Sequence, residues 1–331
     1  MSNDVKVVIS LSKASPRAGF GFPLIFAGKQ PQAVPYTVVS SLAEVVTAGF
    51  AAETEVYKAA QLLFMQDEAP SKIAVCAATD DTVTALPAIL GEDWRQLIVV
   101  GGEEDSDATA ISDYIEACGK KASYFCSVDS ATALAAFKGN KRTTAVVYAT
   151  KDVTNPEAAI VGATAGRDVG SFTYKNIILK GVTAQAFTDA EVATIHEAGG
   201  ITYLLKAGSI VTSEGTCMSG EYIDIVDSED YIIEQIEYQS QRLLNRVPKL
   251  FYDNRGISSL EGVVLSVLID AAGKGMIAQN EDGSFAYSVN FLSRAECAEA
   301  DISARDYKGG SFSFALAGAI HTALISGEII A

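Results

Sequence analysis

Residues 73–148 read IAVCAATDDTVTALPAILGEDWRQLIVVGGEEDSDATAISDYIEACGKKASYFCSVDSATALAAFKGNKRTTAVVY. Short apolar runs alternate with segments of helical period. Ile73–Ala77, Leu97–Val100, Ser123–Ser127 and Thr144–Tyr148 read as buried strands, rich in β-branched and aromatic residues. Thr82–Leu90, Ala108–Cys118 and Ala131–Phe137 read as the helices between them. A parallel connection needs a crossover, so this alternation predicts a parallel sheet covered by helices.

The pattern extends outward on both sides. Upstream, Ser41–Gln66 places Leu42, Val45, Val46, Val56, Ala59, Leu62 and Leu63 near helical spacing. Val5–Leu11 (VKVVISL) and Phe20–Ala27 (FGFPLIFA) read as strands, and Pro23 marks the second as an edge or a bulge. A strand this near a terminus must pair with something to be ordered, in its own chain or in a neighbour. Downstream, Pro156–Thr164 reads as a helix with Asn155 as its cap.

Past the Gly-rich stretch Gly166–Ser171, a fair lobe boundary, the alternation lapses. Ile177–Leu179 is a short strand. Asp189–Ala198 is a helix with a Thr188/Glu191 capping box. Ile201–Lys206 and Ser209–Ser213 form a hairpin around Ala207-Gly208. A strong helix runs from Asp230 to Leu244, capped by Asp227 or Ser228, with Glu229 and Asp230 at its positive end. Pro248 stops it. A second helix covers Ser258–Gly273, and Phe285–Phe291 alternates as a strand. Ser311–Ile330 reads as strands, because aromatic, Gly and β-branched residues dominate its ends.

The chain has 331 residues, more than one core comfortably holds, so two lobes are expected. Its net charge of −16 repels nucleic acid and anionic membranes. Cys76, Cys118, Cys126, Cys217 and Cys297 are odd in number and lack CxxC spacing, as expected of reduced thiols. The N-terminus has no basic-then-apolar leader, and no apolar stretch reaches spanning length. Synthesis in the cytoplasm, without a membrane anchor, is expected.

The sequence offers little for catalysis. Gly101-Gly102 follows a strand but lacks GxGxxG, and three acids stand where a pyrophosphate would bind. Neither a phosphate-binding GxxxxGK[ST] loop nor a GxSxG elbow occurs. His196-Glu197 is not followed by a second histidine, and His196 reads as an exposed helix residue. His321 lies in an apolar run and reads as an interior or interface histidine. No histidine is placed by context beside Cys217. A nucleotide- or sugar-binding α/β enzyme is the alternative that these absences weigh against.

Residues 199–277 carry a resemblance. Gly215-Thr216 closes a strand pair, and Ser219-Gly220-Glu221-Tyr222-Ile223-Asp224 makes a Gly–aromatic–Ile–Asp step. The long acidic-start helix follows, then Val247-Pro248, Asp253 and Gly256-Ile257 lead into the next helix. In order and spacing this resembles the C-terminal part of contractile phage tail sheath proteins, found in myophages, prophages and phage-tail-like bacteriocins. Leu250-Phe251-Tyr252 departs from the family's link after the proline, and its tryptophan-rich stretch is absent.

The resemblance implies an α/β (α+β overall) fold. Residues 1–35 would be an N-terminal β arm packing with the C-terminal lobe, and 36–170 a variable, outward-facing α/β sandwich lobe. Residues 171–331 would be the conserved α+β lobe, ending in a C-terminal β arm at 311–331. It implies a structural, self-assembling subunit and no enzyme. Its partners would be its own copies as hexameric rings stacked in a helix, a tail tube protein, and baseplate and terminator proteins. No cofactor or nucleic acid is implied. Contraction would drive the tube through a target cell envelope, the particle having been assembled in a bacterial cytoplasm. Val5, Val7, Val8, Ile9, Phe312, Phe314, Leu316, Ile320, Leu324 and Ile325 would lie on inter-subunit arm strands. Asp230, Glu234, Glu237 and Gln241 would face the tube. Gly220, Tyr222, Asp224, Pro248, Gly256 and Ile257 hold the motif positions.

Overall fold

A computed structural model describes residues 20–101, 105–150 and 152–321. The first lobe is built from β1 (Phe22–Ala27), β2 (Val34–Val39), α1 (Leu42–Thr47), α2 (Glu55–Phe64), β3 (Ile73–Ala77), α3 (Thr82–Ile89), β4 (Trp94–Val99), α4 (Asp105–Ala117) and β5 (Ser123–Val128). A 3-10 turn (Ala131–Phe137), β6 (Thr143–Val147) and α5 (Glu157–Thr164) complete it. The strands form one sheet in the order β2-β3-β1-β4-β5-β6. All its ladders are parallel except that of β2, which runs antiparallel at one edge.

Alternate residues of each strand enter different cores. Ile25, Val75, Ile98, Phe125 and Val146 join one cluster with α1, α2 and α5 residues. Leu24, Phe26, Ala74, Cys76, Leu97, Tyr124 and Ala145 join another with Leu86, Ile111, Ile115 and Leu134. Burial on both faces is why these strands read as unbroken apolar runs.

Three expectations change. Phe22–Ala27 lies in the middle of the α/β sheet, between β3 and β4, and is neither an edge strand nor part of a separate arm over residues 1–35. The strand tolerates Pro23 because the register shifts beside it, between Phe22 and Pro23. Ser41–Gln66 is two helices, since the chain turns at Gly49, whose φ of 115 suits only glycine. Asn155 does not cap α5: it adopts a left-handed φ of 53 and donates from Nδ2 to Glu55.

Beyond α5 come α6 (Asp189–Glu197) and the hairpin of β7 (Tyr203–Lys206) and β8 (Ser209–Thr212), whose Ile195 and Tyr203 enter the two cores of the first lobe. The second lobe follows with α7 (Ile223–Arg246), α8 (Asn254–Gly273), β9 (Tyr287–Phe291), α9 (Glu299–Ala304) and β10 (Gly310–Phe314). The Thr188/Glu191 capping box opens α6 as expected. His196 on that helix is half-buried rather than exposed and hydrogen-bonds Ser213 at 2.9 Å. The β7–β8 hairpin turns through Ala207 and Gly208, both at positive φ, and Ile178 bridges to Val211 beside it.

A third core lies between α7, α8 and the β9–β10 pair. Ile232 and Ile236 of α7 pack with Val264, Val267, Leu268 and Ala271 of α8, and the β9–β10 pair lies against them. By length and composition alone α8 could cross a bilayer, but these residues are buried in this core.

Candidate functional site

The helix α7 is the spine of the second lobe. Its 24 residues make a rod of about 36 Å. It begins earlier than the acids suggest, after Tyr222 as N-cap. Asp227 and Ser228 are therefore inside the helix, not at its cap. Asp227 forms an ion pair with Arg95 on β4 and accepts a hydrogen bond from Tyr174 at 2.7 Å. Asp230 meets Arg95 Nη1 at 3.0 Å and accepts a two-pronged contact from Arg142, with Nη2 at 2.9 Å from Oδ1. Arg95 also donates to the Lys121 carbonyl at 2.6 Å.

Burial opposes charge on Asp230, but Arg95 and Arg142 outweigh it and hold the carboxyl below its usual range. One turn on, burial dominates and Glu234 is pushed upward. Glu237 lies 3.7 Å from Lys121. This acidic face of α7 docks on the first lobe. Asp230 is 3% exposed, so it cannot face a tube, and Glu234 and Glu237 point the same way. Gln241, beyond this network, donates to Asn245 at 3.0 Å. Sequence reasoning missed Arg95, Arg142 and Tyr174, which no motif marks.

At the far end, β9 and β10 pair antiparallel with Phe312 opposite Val289 and Phe314 opposite Tyr287. Their apolar residues face α8, whereas Ser288, Asn290, Ser311 and Ser313 line the other face, with Ser288 and Ser313 hydrogen-bonded at 2.8 Å. Among the described residues neither strand has a second ladder partner, so this is a two-stranded sheet. An open groove of about 1370 Å³ runs beside it, lined by Ile236, Leu244, Pro248, Phe251, Ile257 and Phe312 among others. Among the described residues no cluster of His, Cys, Asp and Glu is placed to hold a metal.

No protein-family model matches the chain, and no curated protein matches its sequence. Solved structures do match its shape. The helical sheath of the anti-feeding prophage (AFP) in its contracted state superimposes with a TM-score of 0.71 at 15% identity, over 100% of this chain and 99% of that one. The contracted sheath complex of an extracellular contractile injection system, PVC, gives 0.74 at 12% identity, over 99% and 97%. A sheath tail protein from Desulfitobacterium hafniense gives 0.59 at 10% identity, over 94% and 99%. The chain has the sheath-protein fold.

Within the sheath fold the motif positions acquire physical roles. Gly220 turns at a φ of 88, and Tyr222 and Asp224 open α7. Pro248 pushes Val247 into an extended conformation and ends α7. Asp253 caps α8 by accepting from the Gly256 amide at 2.9 Å, and Ile257 is buried. A Cβ at Gly256 would fall on the Phe251 carbonyl oxygen. Gly256→Ala is therefore expected to cost about 1–3 kcal/mol by forcing this link outward. Urea unfolding of the two proteins checks this, and an unchanged midpoint would show that the link yields freely.

The arm residues divide. Phe312, Phe314 and Leu316 pair or bridge inside their own chain and pack against the third core. The described partners of these three lie in the same chain: Phe312 and Phe314 pair with β9, and Leu316 bridges to Ile277. Ile320 is 91% exposed. Val5, Val7, Val8, Ile9, Leu324 and Ile325 lie outside the described residues.

Proposed function

We infer that the chain is a structural subunit of a contractile tail sheath. The observation that supports this most strongly is that the sheath fold extends over the whole chain and is not confined to the α/β lobe. Copies would polymerise as hexameric rings stacked helically around an inner tube, between baseplate and terminator proteins. Rings would repack on triggering and drive the tube through a cell envelope, with the energy held in a metastable packing. The particle would form in a bacterial cytoplasm. No observation favours a nucleotide- or sugar-binding enzyme.

The β9–β10 pair suits the linking role. A two-stranded sheet is marginal alone and gains from added strands. Its open edges present backbone donors and acceptors in fixed register, which is the chemistry of strand addition. The strand-like residues Val5–Leu11 of a neighbour and the segment past His321 are the proposed donors. The α/β lobe would face outward.

Deleting Val5–Leu11 is expected to abolish helical polymers and leave a folded, monomeric chain. Negative-stain microscopy with sedimentation on the same samples reads this. Hollow cylinders or stacked rings from the full chain, and none from the deletion, is the expected result. A deletion that assembles as well as the full chain would sink the arm assignment.

A further inference from the structure

The last described residue is held in a way that the residue before it is not. Ile320 is 91% exposed, yet the His321 side chain next to it is only 11% exposed. Its Nδ1 lies 3.2 Å from Glu214 Oε1, and its Nε2 lies 2.9 Å from Thr173 Oγ1. The imidazole and the Tyr222 ring meet in a T-shaped contact, with centroids 4.7 Å apart and planes at 82°. These partners come from separate parts of the chain, 148 and 107 residues away for the two polar contacts.

The receiving side is built independently of the histidine. Glu214 is fixed from behind by Lys175, whose Nζ lies 2.6 Å from its other oxygen, and by the Gly215 amide at 3.3 Å. Asp224 completes the wall. Its Oδ1 is buried with no hydrogen-bond partner among the described residues. Burial pushes the Asp224 carboxyl up, and the nearby imidazole acts in the opposite sense. Both ring nitrogens thus have a hydrogen-bond partner, Nδ1 at Glu214 and Nε2 at the Thr173 hydroxyl.

We propose that Thr173, Glu214 and the ring of Tyr222 form a socket for His321, a latch that fixes the position and direction of the chain at the start of residues 322–331. The latch sits at the first turn of α7, beside the motif positions Tyr222 and Asp224. An open latch leaves the following segment without a defined point of departure, so a register-dependent pairing with another copy is lost. That last step rests on the sheath reading; the socket itself does not.

The test uses the full-length chain in two measurements. In backbone ¹⁵N relaxation, residues 318–321 of the wild type are expected near the rigid order parameter of about 0.85, and those of His321→Ala below about 0.6. Thr173→Val and Glu214→Gln are expected to lower the same residues, while β10 stays unchanged in every variant. His321→Gln, which keeps one amide donor, is expected to recover part of the order. Unchanged order in both His321→Ala and Thr173→Val overturns the latch. Electron microscopy then compares polymer yield, which is expected to fall severalfold in His321→Ala. A variant that has lost order but assembles like the wild type overturns the link between latch and assembly. A wild type that never assembles counts against the sheath reading, and relaxation alone then decides the latch.

Discussion

Replacing Asp230 by alanine is expected to destabilise the protein by about 3–5 kcal/mol, the cost of breaking a buried ion pair from one side. Arg95 is 4% exposed and Arg142 is mostly buried, so both guanidinium groups would lose a partner that water cannot replace. The α7 helix would lose its strongest tie to the first lobe. Glu229→Ala, one residue away, is the control. Its bond to Lys141 at 2.9 Å joins side chains about a third exposed, and its loss should cost at most about 1 kcal/mol. Urea unfolding of both variants reads the difference, and equal midpoints would show that the buried network does not tie the lobes. The network also has a pH signature. A carboxyl held below its usual range stabilises the fold above that range and stops doing so as pH falls through its lowered value. Wild-type stability should thus drop in acid more steeply than that of Asp230→Ala.

Glu157→Gln is expected to do the reverse, stabilising the protein at neutral and alkaline pH. Glu157 is 2% exposed at the start of α5, and its Oε2 has no hydrogen-bond partner among the described residues. Cys126 and Ser127 on β5 and Tyr203 on β7 neighbour it, and none of them brings positive charge. Burial pushes its carboxyl up to about 7 from an ordinary 4.5. The folded chain therefore holds this proton more tightly than the unfolded chain does. The stabilisation is complete below the ordinary value and is lost as pH rises through the raised one. That shift corresponds to about 3 kcal/mol. Unfolding free energies of the wild type should fall across this window, and those of Glu157→Gln should stay level. Parallel pH profiles for the two proteins would refute the assignment.

The α/β lobe was legible in the sequence because strands buried on both faces leave continuous apolar runs, and crossover helices separate them. What escaped depended on partners remote in the chain. Asp227, Ser228, Glu229 and Asp230 look like a cap and an acidic first turn, the same pattern that a buried docking face produces. Only Arg95 and Arg142, on other elements, tell the two apart. Pro23 argued for an edge or a bulge because proline cannot donate to a ladder, and the second holds: it stands where the β1–β4 register shifts. Phe312 and Phe314 alternate as any strand would, and alternation does not say whether the partner strand belongs to the same chain. Among the candidate site residues, Pro248 was readable as a helix stop from local backbone chemistry, whereas Gly220 and Gly256 were marked only by the resemblance. The socket around His321 was not, since Thr173 and Glu214 have no local pattern that points to a histidine so far along the chain.

The central position of β1 has a consequence for synthesis. Of the described strands this one leaves the ribosome first, yet its two ladders are with residues 74–77 and 94–99. Until β4 has emerged, an apolar strand with both edges unsatisfied waits in the nascent chain. Such contacts close slowly because their loops must be ordered before any pairing rewards them. The Arg95 that later receives α7 is part of β4, so the anchor for the second lobe exists only once this first sheet is complete. Translational pausing or chaperone binding would matter most while residues 22–99 are outside the ribosome and still unpaired.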